Sequence, residues 1–201
     1  EELERKIREA KTLVAVEDLY RPYKPKRRTR AMIAKEKGLE PLADLISMQM
    51  VKEPLLQAAA AYISQEKGVE TAEDAIQGAK DILAERISDN AEYRTYIRNA
   101  TMNKGVVQSS AKDEKAQSVY EMYYNYEEPV KKCAGHRILA LNRGENEKIL
   151  TVKIAAPEDQ ILMYLEKQTI VRDNPHTTPV LKEAAADSYQ RLIGPSIERE
   201  I

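Results

Sequence analysis

The residues of this chain whose types and spacing suit chemistry lie between Asp18 and Arg30, in the run DLYRPYKPKRRTR. Arg21, Lys24, Lys26, Arg27, Arg28 and Arg30 place six positive charges in its last ten residues, with no acid among them. Pro22 and Pro25 fix their own φ and push Arg21 and Lys24 out of the helical region. Wound as polyproline II, with about three residues per turn, the segment has one basic edge formed by Arg21, Lys24 and Arg27. A second edge carries the rings of Tyr20 and Tyr23, followed by Lys26. Cations neutralise phosphates and rings stack on unpaired bases, so the chemistry expected here is contact with single-stranded nucleic acid. The alternative is a solvated strap whose tyrosines pack on helices and whose cations meet the chain's acids. A Pro-x-x-P ligand for a proline-recognition domain is a third reading, resting on spacing alone.

A second constellation is His136-Arg137 with Arg143-Gly144. Arginines flanking a hairpin suit phosphate or a partner carboxylate, with Gly144 supplying the turn. The plainer reading pairs Arg143 with Glu145 or Glu147. Cys133 and His136 sit three residues apart, but only His176 remains as a further Cys or His, so the ligands of a zinc site are lacking. A nucleophilic Cys133 with His136 as base has the same weakness. Paired acids such as Glu127-Glu128 and Glu158-Asp159 carry little information among 33 carboxylates. Neither a Gly-x-Gly-x-x-Gly nor a Gly-x-x-x-x-Gly-Lys-Ser/Thr loop is present. The reading is of a protein that is not an enzyme and that holds no metal or cofactor.

The elements that must position these residues are mostly helical. Apolar positions from Leu3 to Val16 recur every three or four residues, predicting one helix over 2–19. A short helix over 31–37 is stopped by Gly38, and Pro41 opens the next. Pro54 opens a helix through Ala58–Ala61 that lasts until Gly68. Thr71 and Asp74 form a capping pair for the helix carrying Ala75, Ala79, Ile82 and Ile87. Ser88 is read as the cap of a further helix that Gly105 ends. Together, 53–105 form a helix-turn-helix-like module. Lys112–Tyr124 reads as a helix burying Val119, Met122, Tyr123 and Tyr126. The alternation Ile138, Ala140, then Leu150, Val152, Ile154 predicts a β-hairpin over 136–154. Helices follow over 157–201, one opened by Thr178-Pro179 and broken at Gly194-Pro195.

Composition agrees with that pattern. Thirty-two Lys+Arg against 33 Asp+Glu give a net charge of −1, which excludes a polycation or an acidic tail. No apolar run approaches the roughly 18 residues of a membrane span. Seven glycines, 11 tyrosines and no Phe or Trp, with alanine and glutamate abundant, favour helices. The single cysteine suits a reducing compartment, and a cytoplasmic protein is expected. The fold class expected is mainly α: multi-helical, with the helix-turn-helix-like module and one small hairpin.

At DLYRPYKPKRRTR the chain resembles the Tex family of transcription accessory proteins. Three further stretches agree: IAKEKGLEPLADLI at 33–46, HRILALNRGENEKIL at 136–150 and DSYQRLIGPSIERE at 187–200. The family positions matched are Tyr20, Pro22 to Thr29, His136, Arg137, Arg143 and Gly144. Arg21 stands where leucine is more usual, and Tyr123, Tyr124 and Tyr126 lie where Phe is frequent. The resemblance covers essentially all of 1–201, and implies an N-terminal region cut before an RNase-H-like domain, helix-hairpin-helix elements and an S1 domain. It implies a non-catalytic role in transcription, with nucleic acid, DNA or RNA, those further domains, and RNA polymerase as partners. Tyr20, Arg21, Tyr23, Lys24, Lys26, Arg27, Arg28 and Arg30 are the primary candidate contacts; His136, Arg137 and Arg143 are secondary.

Overall fold

A computed structural model describes residues 2–9, 13–21 and 29–200. The chain divides into two compact units, one of residues 1–95 and 162–196, the other of 96–161 and 197–201.

In the first unit the long helix α6 (Ala72–Ser88) is the centre, with α3 (Arg30–Glu36), α4 (Glu40–Met48), α5 (Leu55–Ala60) and α10 (Thr178–Asp187) packed around it. Its buried positions Ala75, Ala79, Ile82, Leu83, Ala84 and Ile87 cover more than one face, as a helix surrounded by others requires. The alanines let neighbouring helices approach. Helices α1 (Glu2–Glu9) and α2 (Leu13–Tyr20) precede this group within the helix expected over 2–19, of which residues 10–12 lie outside the described residues.

Local signals start and stop these helices for identifiable reasons. The Thr71 hydroxyl accepts from the Asp74 amide at 3.1 Å, and Thr29 does the same for Met32 at 3.1 Å. Gly38 ends α3 at φ +76°, a left-handed conformation that glycine adopts without a Cβ penalty. Pro41 sits in the first turn of α4. Helix α5 is shorter than expected; a bridge between Ser64 and Val69 occupies the segment before Gly68. Ser88 is not a cap: it is the last residue of α6, and Asn90 caps α7 (Ala91–Lys104) by accepting from the Tyr93 amide at 3.1 Å.

Gln49 follows α4 at φ +58° and is held there by its side chain. Its Nε2 donates to Thr169 O at 2.8 Å, and its Oε1 accepts from the amides of Val171 and Arg172 at 3.0 and 3.1 Å. Asn174 completes the clamp, donating to Gln49 O and Val51 O while accepting from the amides of His176 and Thr177.

Gly194-Pro195 does not break the last helix. After α10, residues Ser188–Ile193 widen into a π-helical turn, and α11 (Gly194–Glu200) continues from it. The Gly194 amide bonds to Tyr189 O, five residues back. That wider register makes room for a proline ring and for its missing donor. A Cβ on Gly194 would lie 2.9 Å from Tyr189 O, so the turn closes only over glycine.

The second unit contains a three-stranded antiparallel sheet in the order β2-β1-β3, with β1 Val106–Ala111, β2 Asn125–Pro129 and β3 Leu150–Ala155. Ser109 of the central strand faces Tyr126 on one side and Val152 on the other. Helix α8 (Gly135–Asn146) packs on β3, and Val107, Tyr120, Tyr123, Val130, Leu141 and Leu150 form the core. Two carboxylates finish the outer edge of β3: Val152 N donates to Glu145 Oε2 at 3.3 Å and Ile154 N to Glu198 Oε1 at 3.2 Å.

The hairpin expected over 136–154 is half helix: 135–146 form α8, and β3 pairs with β1 instead. The expected helix over 112–124 is absent; the segment is a loop closing in a short 3-10 turn at Glu121–Tyr123. Tyr123 is buried as expected, but Val119 and Met122 are 86% and 72% exposed. Among the described residues no helix is long and apolar enough to cross a membrane.

Candidate nucleic-acid interface

The basic strap enters and leaves through described residues. Arg21 follows α2 half-buried, with its Nε shielded from solvent. At the exit, Thr29 caps α3 and donates its hydroxyl to Glu85 Oε2 of α6 at 2.8 Å. Arg30, the first residue of α3, is exposed. Tyr23, Lys24, Lys26, Arg27 and Arg28 lie outside the described residues, as does the side chain of Tyr20, so the polyproline reading falls there too.

The second constellation is built on α8 rather than on a hairpin. His136 and Arg143 are both exposed and stand seven residues apart, two helical turns, on one face with Leu139 and Asn142. Arg143 makes no ion pair among the described residues, so the pairing with Glu145 or Glu147 does not form. Gly144 is not a turn residue: it is buried inside α8, and a Cβ there would meet Leu150 Cδ1 at 2.4 Å. The turn falls at Lys148, φ +62°.

Arg137 points elsewhere. It pairs with Glu128 of β2, whose other oxygen accepts from the Tyr126 hydroxyl at 2.6 Å. The hydrogen bond from Tyr126, joined by the Arg137 charge, holds the Glu128 carboxyl below the usual carboxylate range. The same bond pushes the Tyr126 phenol up, and Glu128 raises the Arg137 guanidinium. Cys133 lies beside them, and burial, followed by the Glu128 charge, raises its thiol. That is opposite to what a nucleophile needs. Arg137 is thus occupied within the protein while His136 and Arg143 face solvent.

Lys131 and Lys132 are exposed on the 3-10 turn before α8 and were missed among the candidates. The signal was available: from Pro129 to Gly144 the chain has Lys131, Lys132, Arg137 and Arg143 but no acid. An acid-free basic turn leading into an exposed helix face with His, Asn and Arg can neutralise phosphates and offer hydrogen bonds beside them.

Comparison with known proteins fits these elements into a family. Residues 52–200 match the family model described as Tex central region-like. The chain is 52% identical over 202 residues to protein YdcI of Bacillus subtilis, covering 99% of this chain and 28% of that one. It is 35% identical over 161 residues to the transcriptional accessory protein Tex of Neisseria gonorrhoeae, covering 79% of this chain and 21% of the relative. A human protein named S1 RNA-binding domain-containing protein 1 is 29% identical over 206 residues, covering 94% of this chain and 20% of its own. This chain therefore belongs to the Tex family. It spans between a fifth and somewhat over a quarter of the length of these relatives.

Proposed function

We propose that this chain is a non-enzymatic scaffold of a Tex-like transcription accessory factor, acting in the cytoplasm in association with nucleic acid. The observation that carries the reading is kinship along nearly the whole chain with proteins named for transcription accessory and RNA-binding roles. Two basic surfaces are the contacts. One is the strap with Tyr20, Arg21, Tyr23, Lys24, Lys26, Arg27, Arg28 and Arg30; the other is the acid-free turn and α8, with Lys131, Lys132, His136 and Arg143. Arg137 acts there by holding Glu128 away from the phosphates. A second reading, in which the strap docks on further domains of the same chain or on RNA polymerase, is favoured by the half-burial of Arg21.

Fluorescence anisotropy of labelled single-stranded RNA, single-stranded DNA and duplex DNA tests the two. Nucleic-acid contact gives binding that weakens with salt by about 0.7 log units per log unit of salt for each neutralised phosphate on single strands, and about 0.9 on duplex. Arg27→Glu/Arg28→Glu and Lys131→Glu/Lys132→Glu each reduce it and flatten the slope. Absence of binding by every probe at low salt removes the nucleic-acid reading and leaves docking.

A further inference from the structure

Between α3 and α6 lies a groove of about 330 Å³ with walls of opposite charge. The two helices run antiparallel: Thr29 meets Glu85 at one end, Ala34 lies beside Gly78 in the middle, and Lys37 reaches over Gly68 at the other. The wall from α3 carries Arg30 and Lys37, and that facing it carries Glu70, Asp74 and Asp81. Lys67 lies across Gly38 and adds a third cation at the Lys37 end. Ala34, Leu39 and Val69, all buried, make the floor. Gly78 sets its depth, because a Cβ there would lie 2.3 Å from Leu39 Cδ1 and 3.3 Å from Ala34 Cβ of α3.

These charges are not neutralised across the gap. Among the described residues Arg30, Lys37, Lys67, Glu70 and Asp74 have no ion-pair partner, while Asp81 accepts from Gln77 at 3.1 Å and lies within the field of the Arg191 guanidinium. An occupant that completes them has three faces: an apolar one for the floor, an acidic one for α3 and a basic one for α6. A nucleic acid does not qualify, since the carboxylate wall repels phosphate. A polypeptide in polyproline II conformation does, because its successive side chains point about 120° apart. One turn of it spans about 9 Å, and Arg30 to Lys37 is seven helical rises, about 10 Å.

We propose that this groove is a docking site for a segment of a partner protein, an extended triplet with one acidic, one apolar and one basic residue. Charge complementarity with both walls selects it.

The test is amide-correlation NMR of the chain titrated with a peptide of three Glu-Pro-Lys repeats, its ends blocked, up to about 1 mM, the range of weak peptide docking. Peptides of the same length with Lys-Pro-Lys or Glu-Pro-Glu repeats are the controls. The mixed peptide shifts the amides of Ile33, Lys37, Val69, Gln77 and Gly78 and binds at least about tenfold more tightly than either control. In Arg30→Glu/Lys37→Glu both walls are acidic, and preference passes to the Lys-Pro-Lys peptide, a gain that mere unfolding does not produce. No shift at these amides, equal binding of the controls, unchanged preference in the variant, or displacement of the same amides by single-stranded RNA would each overturn the proposal.

Discussion

Leu150 Cδ1 occupies the place a side chain on Gly144 would need, 2.4 Å from the position of its Cβ. Helix α8 therefore lies against β3 at a distance only glycine permits, with the Tyr120 ring closing the same gap at 3.3 Å. Gly144→Ala gains helix propensity, about 1 kcal/mol, but overpacks the core at a cost of about 1–3 kcal/mol. The expected result in urea denaturation is net destabilisation, larger than that of Gly135→Ala, where no atom lies within 4 Å.

The Gln49 clamp makes a second measurable claim. Asn174→Ala removes four hydrogen bonds and leaves buried carbonyls and amides unpaired, a loss of about 1–3 kcal/mol by denaturation. Gln49→Ala loses its side-chain bonds and keeps an unfavourable φ, whereas Gln49→Gly relieves the backbone. The glycine variant should be the more stable of the two, by about 0.5–1 kcal/mol, despite having less side chain.

The cluster on β2 sets a pH dependence. Folding lowers the carboxyl pKa of Glu128 from its ordinary 4.5, so its contribution is complete above that value and is lost as pH falls through the lower, folded pKa. Folding raises Tyr126 from 10.0, so the proton it holds stabilises below that value and the contribution fades as pH rises through the folded pKa. Thermal melts of the parent and Glu128→Gln should converge as pH falls below about 4 and separate near neutrality. Parallel curves over that range would show that the cluster does not supply the dependence.

Gly194 has φ −55°, an ordinary helical value, so alanine there looks favourable on backbone grounds. The approach of Tyr189 O argues the reverse. Gly194→Ala should lower the melting temperature, and Pro195→Ala in the same background should recover part of the loss by letting the wide turn revert to α-helical register. Circular dichroism melts of both variants check this.

Much of the helical unit is legible because its signals are local: a threonine three residues before an amide it caps, a glycine at positive φ, a proline in a first turn. The sheet unit is not, because polar residues face inward and hide the alternation. Ser109 points into the core and donates to Tyr123 O at 2.7 Å. Glu128 likewise turns inward, only 12% of its side chain exposed, to meet Tyr126 and Arg137. Ile138 and Ala140 alternate like a strand, yet Leu141 and Gly144 continue the buried face of a helix. For the site, the basic residues are visible in sequence; that Arg137 spends its charge on Glu128 depends on β2 lying beside α8, which no local pattern encodes.

The finished edges of the small sheet bear on the behaviour of the molecule at high concentration. An outer strand with free amides invites a strand from another copy, the first step of intermolecular β-aggregation. Here the amides of Val152 and Ile154 are already taken by Glu145 and Glu198, and the opposite edge carries Glu127 and Pro129. Each edge thus repels or starves an incoming ladder, so concentrated solutions are protected from sheet extension by three glutamates and a proline as much as by the core.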